Sequence, residues 1–172
     1  MEHSHDPKPM SASRIQLAQM MMPEHANIHG DVHGGWIMKL VDEAGALAST
    51  RHAAHRTVTV AIDQMVFRHP IHIGDLVLFN AEVTYAGRTS MEVEVNVIAE
   101  NPISGEQIHT NAAYLVYVAI DDDGKPTQIP SLVAETPEEQ ARMDAAVERQ
   151  KRRLAQKADS KLTQVNTDIV FY

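Results

Sequence analysis

The segment His29-Gly30-Asp31-Val32-His33-Gly34-Gly35-Trp36 sets a carboxylate, two imidazoles and a glycine pair directly ahead of a long apolar stretch. Three kinds of chemistry fit. In the first, Gly34 and Gly35 open a helix whose leading N–H groups have no intrahelical partner. With the helix dipole, those donors polarise a carbonyl oxygen and stabilise the oxyanion formed when it is attacked. Asp31 then stands nearby as general base or nucleophile, and glycine leaves no Cβ to block the approaching substrate. In the second, His29, Asp31 and His33 form an H-x-D-x-H cluster suited to zinc, iron or manganese. Alternate residues do share a face in extended chain, yet ten histidines in 172 residues make close pairs common by chance. In the third, the loop does no chemistry: Asp31 is a turn residue and the glycines are there for packing. A glycine pair ahead of a helix does not by itself separate the three.

The elements that would hold this segment can be read from hydrophobic period. Ile37, Met38, Leu40, Val41, Ala44, Leu47 and Ala48 recur at helical spacing from Trp36 to about His52. A helix apolar nearly all round is a buried one, here about 25 Å long. Asp42 lies on this stretch, where a carboxylate is costly unless paired, hydrogen-bonded or at work. Ser13 to Met22 reads as a first strand. After the helix, Val58, Val60 and Ile62 alternate in a strand expected to reach Phe67. Asp75 to Tyr85 is another strand, closed by Ala86-Gly87. Met91, Val93, Val95 and Val97 alternate with Glu92, Glu94 and Asn96, the pattern of a strand with one wet face. Gln107 to Ile120 is a long strand expected at the centre of the sheet. Past Pro130, Thr136, Pro137 and Glu139 open a second, highly charged helix with a capping-box pattern. This order predicts an α+β fold, an antiparallel sheet wrapped around one buried helix, with an extra helix at the C-terminal end. One helix cannot cover both faces of such a sheet, so pairing with a second copy is expected. The expected division is a flexible arm over 1–12, a main domain over 13–121, and a helix and tail over 122–172.

Composition narrows the function. Apolar residues make up 44% of the chain, charged residues 22%, and there is no cysteine. A disulfide framework, a thiolate nucleophile and a cysteine-ligated metal are therefore excluded. The formal net charge of −8 argues against a broad nucleic-acid surface but not against a small anion. Met1 to Met10 lacks the apolar core of a signal peptide, and no apolar run is long enough to span a bilayer. A cytoplasmic protein with no membrane and no nucleic-acid partner is the expectation.

The run from Asn27 to Gly45 closely resembles the signature of the hotdog-fold acyl-CoA thioesterases of the YciA and mammalian cytosolic acyl-CoA hydrolase group. The likeness continues through Ser49-Thr50-Arg51-His52, the strand toward Phe67, and Gly87-Arg88-Thr89-Ser90-Met91-Glu92-Val93, covering roughly Ser13 to Ile120 in order and spacing. The resemblance implies hydrolysis of fatty acyl-CoA to free fatty acid and CoA, with no cofactor, since CoA is part of substrate and product. It implies Asp31 as a principal catalytic residue and Asp42, on the helix of a facing copy, as a second carboxylate. It also implies Gly34 and Gly35 as the donors to the thioester oxygen, and dimers with shared active sites assembled as trimers of dimers. Bacterial members usually carry Phe where this chain has His33. Histidine there resembles the mammalian form and leaves the role of that side chain open.

The phosphates of CoA need donors. Arg88, Thr89 and Ser90 follow Gly87 in a turn that can meet a phosphate, although an arginine in a turn is ordinarily just solvated. Arg68 and His69 are second choices. Asn27 would fix the loop through a backbone hydrogen bond, and His33 would sit beside the substrate. Val58, Val60 or Met65 would wall a pantetheine tunnel, and Trp36 would pack beneath the glycines or line the acyl pocket. The basic run Arg149 to Arg153 reads as a solvated helix face, or as a contact for adenine-side phosphates or another subunit. The hydratase motifs of other hotdog proteins are not found. A non-catalytic acyl-CoA sensor is the remaining rival.

Overall fold

Alternation along the chain decides which side chains face inward. The computed structural model describes residues 6–63 and 65–164. In chain order its elements are β1 (Lys8–Pro9), β2 (Ile15–Met20), α1 (Gly34–Ala53), β3 (Arg56–Ile62), β4 (Leu76–Ala86), β5 (Ser90–Glu100), β6 (Gln107–Ile120), β7 (Leu132–Val133) and α2 (Pro137–Gln164). Short 3-10 turns lie at Met10–Ser13 and Pro23–His25. Strands β2, β4, β5, β6 and β3 form one antiparallel sheet in that spatial order. Helix α1 touches all five, as expected of a sheet wrapped around it.

Every second residue of the central strands points at α1. Val77, Phe79, Ala81 and Val83 of β4, Met91 to Val97 of β5, and Ala113 to Ala119 of β6 supply that face. They close on Ile37, Leu40, Val41, Ala44 and Ala48 of the helix. The middle strand is β5, with β6 one place further out. β6 looks central in sequence because both its faces are covered, one by α1 and the other in part by α2.

That second covering changes the reading of β5. Its supposedly wet residues Glu92 and Glu94 lie under α2, and Glu92 is 0% exposed. Arg142 bonds Glu82 and Glu94, Arg149 bonds Glu92, and Arg153 bonds both Glu92 and Asp63. The charged run is thus not simply a solvated face: Arg149 and Arg153 turn inward because buried carboxylates need cations. Half of the expected capping box forms: Thr136 Oγ1 accepts from the Glu139 N–H (3.2 Å), but the Glu139 carboxylate accepts from the Glu135 N–H (2.6 Å), one residue ahead of the cap, instead of from Thr136.

Other boundaries shift. β3 ends at Ile62, with a bulge between Thr59 and Ala61, and Phe67 lies beyond it in irregular chain. Single bonds hold that segment, from Asp63 N–H to Tyr114 O (2.8 Å) and from Arg68 N–H to Thr110 O (3.1 Å). The expected arm is tied down by its end: Lys8–Pro9 pairs with Leu132–Val133 and Met10 is fully buried. Residues 1–5, residue 64 and the part of the expected tail from 165 onward lie outside the described residues. Helix α1 is not buried all round, since Met38 and Leu47 face outward. At one end of the sheet, Val58, Val60 and Ile62 of β3 are exposed, and among the described residues β3 has β6 as its only strand neighbour. Among the described residues, no helix is long and apolar enough to cross a membrane.

Candidate active site

Asn27 organises the loop ahead of α1. Its side-chain oxygen accepts from the N–H groups of His29 (2.8 Å) and Asp31 (3.3 Å), and its own N–H bonds Asp31 O (2.7 Å). This is an Asx turn, and Gly30 at φ 90° closes it in a conformation that favours glycine. The loop is then anchored from both sides: Val32 N–H bonds Ile71 O, and His33 N–H bonds His25 O. Asp31 pairs across to His72 in an antiparallel bridge, and its Oδ1 lies 2.9 Å from His72 Nδ1. The Asp31 carboxylate is 43% exposed. It opens on a groove of about 380 Å³ that also takes in Asn27, Gly34, Phe67, Arg68 and His69.

The helix start differs from the expectation of two equivalent donors. His33 is the N-cap, and its Nδ1 accepts the Gly35 N–H at 2.9 Å. A Cβ on residue 35 would lie 3.0 Å from that nitrogen, so glycine is what lets the imidazole reach its cap. Gly35 is therefore occupied. The Gly34 N–H has no hydrogen-bond partner among the described residues, and Gly34 lies against the Phe67 ring, 3.4 Å from where a Cβ would be. A single outward donor remains at the mouth of the helix.

Asp42 sits eight residues further along α1, about 12 Å up the axis, so Asp31 and Asp42 do not meet within one chain. Its Oδ1 accepts from Thr59 Oγ1 (2.7 Å) and lies 3.1 Å from the Tyr117 hydroxyl. The same hydroxyl is 3.0 Å from the Asp42 carbonyl oxygen. Gly45 makes room for this, because a Cβ there would run into the Tyr117 hydroxyl. Burial, and after it the Asp42 carboxylate, push the Tyr117 hydroxyl far above its ordinary range, so it stays a donor. Through Thr59 the cluster reaches β3, an end strand of the sheet. His72, Thr59, Tyr117 and Gly45 were not singled out from the sequence. The one available signal was a glycine inside a helical run, which marks a close approach.

The remaining candidates scatter. Arg68 and His69 share the groove with Asp31. Arg88, Thr89 and Ser90 do not: the turn is at the far end of β4, roughly 33 Å of strand from the Leu76 end beside the groove. There Arg88 O and Thr89 O accept from the N–H groups of Ile129 and Ala119. Trp36 packs edge-on against His25 (4.8 Å) with Lys39 above its ring, rather than beneath the glycines. The H-x-D-x-H cluster does not converge, since His33 caps the helix and Asp31 turns to His72. Among the described residues, no group of three or more His, Cys, Asp or Glu could hold a metal ion.

Comparison with known proteins gives a consistent picture. The thioesterase superfamily model matches residues 29–106. An uncharacterized acyl-CoA thioester hydrolase of Bacillus subtilis, YkhA, is 34% identical over 148 residues, covering 86% of each chain. The structure of an acyl-CoA hydrolase from Staphylococcus aureus in complex with butyryl coenzyme A, coenzyme A and coenzyme A disulfide superposes with a TM-score of 0.84 at 35% identity. That match covers 91% of this chain and 95% of the other. Structures of the same Staphylococcus enzyme with an aspartate, an asparagine or a threonine replaced by alanine also match. An apo-hexameric acyl-CoA thioesterase matches with a TM-score of 0.86 at 33% identity, over 89% of this chain and 98% of that one.

Proposed function

This chain belongs to the thioesterase superfamily, and from that membership we propose that it hydrolyses acyl-CoA to a carboxylic acid and CoA. The observation that carries the reading is the groove where the Asp31 carboxylate, steadied by His72, shares space with the one unoccupied N–H at the mouth of α1. The thioester oxygen docks on the Gly34 N–H, where the donor and the helix dipole stabilise the negative charge that builds on it. Asp31 removes a proton from water, or adds to the carbonyl itself to form an anhydride that water then opens. CoA leaves as the thiol. Asn27 holds the loop in place, and His33 fixes the start of the helix.

Asp42 serves the site of a facing copy. It lies on the side of the molecule where β3 presents Val58, Val60 and Ile62 without a strand neighbour, an edge suited to pairing with a second copy. The Staphylococcus aureus variants replace the three residue types that Asn27, Asp42 and Thr59 supply here. We take the assembly to be dimers with shared sites, three to a hexamer, a reading supported by the hexameric acyl-CoA thioesterase that this chain resembles. We take residues 13–121 as the catalytic unit, with α2 packed on the outer face of its sheet. The reading carries with it a cytoplasmic location, beside the cell's pool of acyl-CoA.

Thiol release from acyl-CoAs of short to long chain, measured for wild type and Asp31→Ala, tests the proposal. Wild type is expected to turn over at least part of the panel, and Asp31→Ala to lose about a hundredfold or more in kcat while circular dichroism stays unchanged. Folded wild-type protein that cleaves none of the panel would overturn the reading in favour of an acyl-CoA sensor.

A further inference from the structure

The arginines of α2 mark its course over the outer face of the sheet. Arg142 reaches Glu82 on β4 and Glu94 on β5, and Arg149 reaches Glu92 on β5 and stacks on Tyr114 of β6. Arg153 reaches Asp63, just past β3. The helix therefore crosses the strands from β4 toward β3, and β3 is the last strand on that side. Yet α2 runs on from Arg153 to Gln164, about 16 Å further. Leu154, Ala155 and Gln156 are exposed one after another. Successive helical residues point about 100° apart, so from here no side of the helix is held against its own sheet. The end of α2 overhangs the end strand.

The outer face is short of cover at the same edge. Leu115 and Tyr117 of β6 belong to the core around α1, so Tyr114, Val116 and Val118 point the other way. Thr59 turns to Asp42 on the helix side, so Val58, opposite Val118 in the ladder, points outward too. α2 covers the Tyr114 end of this face through Arg149, while Val58 stays 42% exposed. Within one chain the overhang cannot reach this patch. The helix passes β3 at its Asp63 end, and Val58 lies five residues away, roughly 16 Å along the strand.

A second copy removes that obstacle. A twofold axis between two β3 edges makes the strands antiparallel, so the Asp63 end of one faces the Arg56 end of the other and the outer faces join. We propose that the end of α2, from Leu154 onward, crosses the junction between two copies and packs on the partner's Val58 and the partner's Val118. The proposal rests on the reading of β3 as the edge where copies pair. The reach fits, since about 16 Å of helix spans roughly three strand spacings, enough to pass β3 and cover two strands beyond it. The composition fits as well. In the sequence Leu154, Ala158 and Leu162 recur every fourth position as an apolar stripe. Lys151, Arg152, Lys157 and Lys161 make this end basic in a chain of net charge −8, so it is suited to another copy of the same acidic chain. The contact is made twice, once by each copy.

The chain has no cysteine, so introduced thiols report without background. Tagged full-length chains carrying Leu154→Cys are co-expressed with untagged chains carrying Val58→Cys and treated with a short bismaleimide. A covalent pair of one tagged and one untagged chain is expected. Its yield should be several-fold higher than when the tagged chain carries Ile103→Cys instead, on the exposed turn between β5 and β6. Equal yields would overturn the proposal. Leu154 is 58% exposed within one chain, so Leu154→Glu should leave that chain's circular dichroism unchanged. The same variant is expected to weaken self-association by about tenfold, read by dilution in the analytical ultracentrifuge. Self-association as tight as that of wild type would overturn the helix contact. The two readings fail separately. Wild type that sediments as a monomer sinks the pairing of β3 edges and the contact with it. Wild type that self-associates, without the link between Leu154→Cys and Val58→Cys, sinks the contact alone.

Discussion

Asp31 and His72 meet because two short stretches of chain, each too irregular to be a strand, bridge across at one residue pair. The imidazole can then do two things for a catalytic carboxylate: fix its rotamer and leave its second oxygen directed into the groove. Replacing His72 with alanine is expected to lower kcat by between about tenfold and a hundredfold, the range in which misplacing a reacting group falls. KM should change much less, and His72→Gln should recover part of the loss by donating to the same oxygen. A His72→Ala enzyme with wild-type kcat would show that Asp31 needs no such support. His72 could not have been found from composition, since the chain has ten histidines and His72 lies 41 positions from its partner. Asp31, Gly34 and Asn27 were legible because one contiguous segment carries them. Thr59 and Tyr117 were not, because they approach Asp42 only once β3 and β6 are paired.

The elements teach a related lesson about charge. The alternation of β5 correctly gave the inward face, but the pattern cannot tell an outward face wetted by solvent from one covered by arginines. Glu92 is the case in point: its carboxylate is buried with Arg149 and Arg153 as partners. Removing one side of such a pair strands the other, which typically costs about 3–5 kcal/mol. Arg149→Ala is therefore expected to lower unfolding stability by that order in a urea titration, and Glu92→Ala by less than the sum when the two are combined. Additive losses would mean that the two groups act independently. Arg14 is itself largely exposed, and its buried partner Glu82 keeps Arg142 when it is removed, so Arg14→Ala is expected to cost less than Arg149→Ala, the loss falling mainly on Glu139. The helix boundaries were legible within a few residues because caps and period agree. The end of β3 was not, because apolar residues recur as far as Phe67 although the ladder to β6 stops at Ile62 and only single bonds tie the chain beyond it.

At the scale of the whole molecule, the division of labour between Asp31 and Asp42 has a measurable arithmetic. If each site draws Asp31 from one copy and Asp42 from its neighbour, a mixed dimer of Asp31→Ala and Asp42→Ala chains holds one intact site and one doubly damaged site. Random assortment makes half the dimers mixed, so co-expressed variants should recover about a quarter of wild-type activity, where each alone is nearly inactive. Recovery absent from dimers shown to be mixed would place both carboxylates in the service of their own chain. That outcome would then have to explain how a loop carboxylate ahead of α1 and one about 12 Å up the helix from its first residue act on a single bond.

The arginines of α2 reach carboxylates on β4, on β5 and just beyond β3, all distant in sequence from α2 itself. A strand that paired one residue out of step would turn Glu92 toward the core and Met91 toward the helix. The arginines would then find no partners, and α2 would have nothing to dock on. The helix thus rewards a single pairing of the strands: its arginines find their partners only on a correctly registered sheet, so a slipped one forgoes their stabilisation.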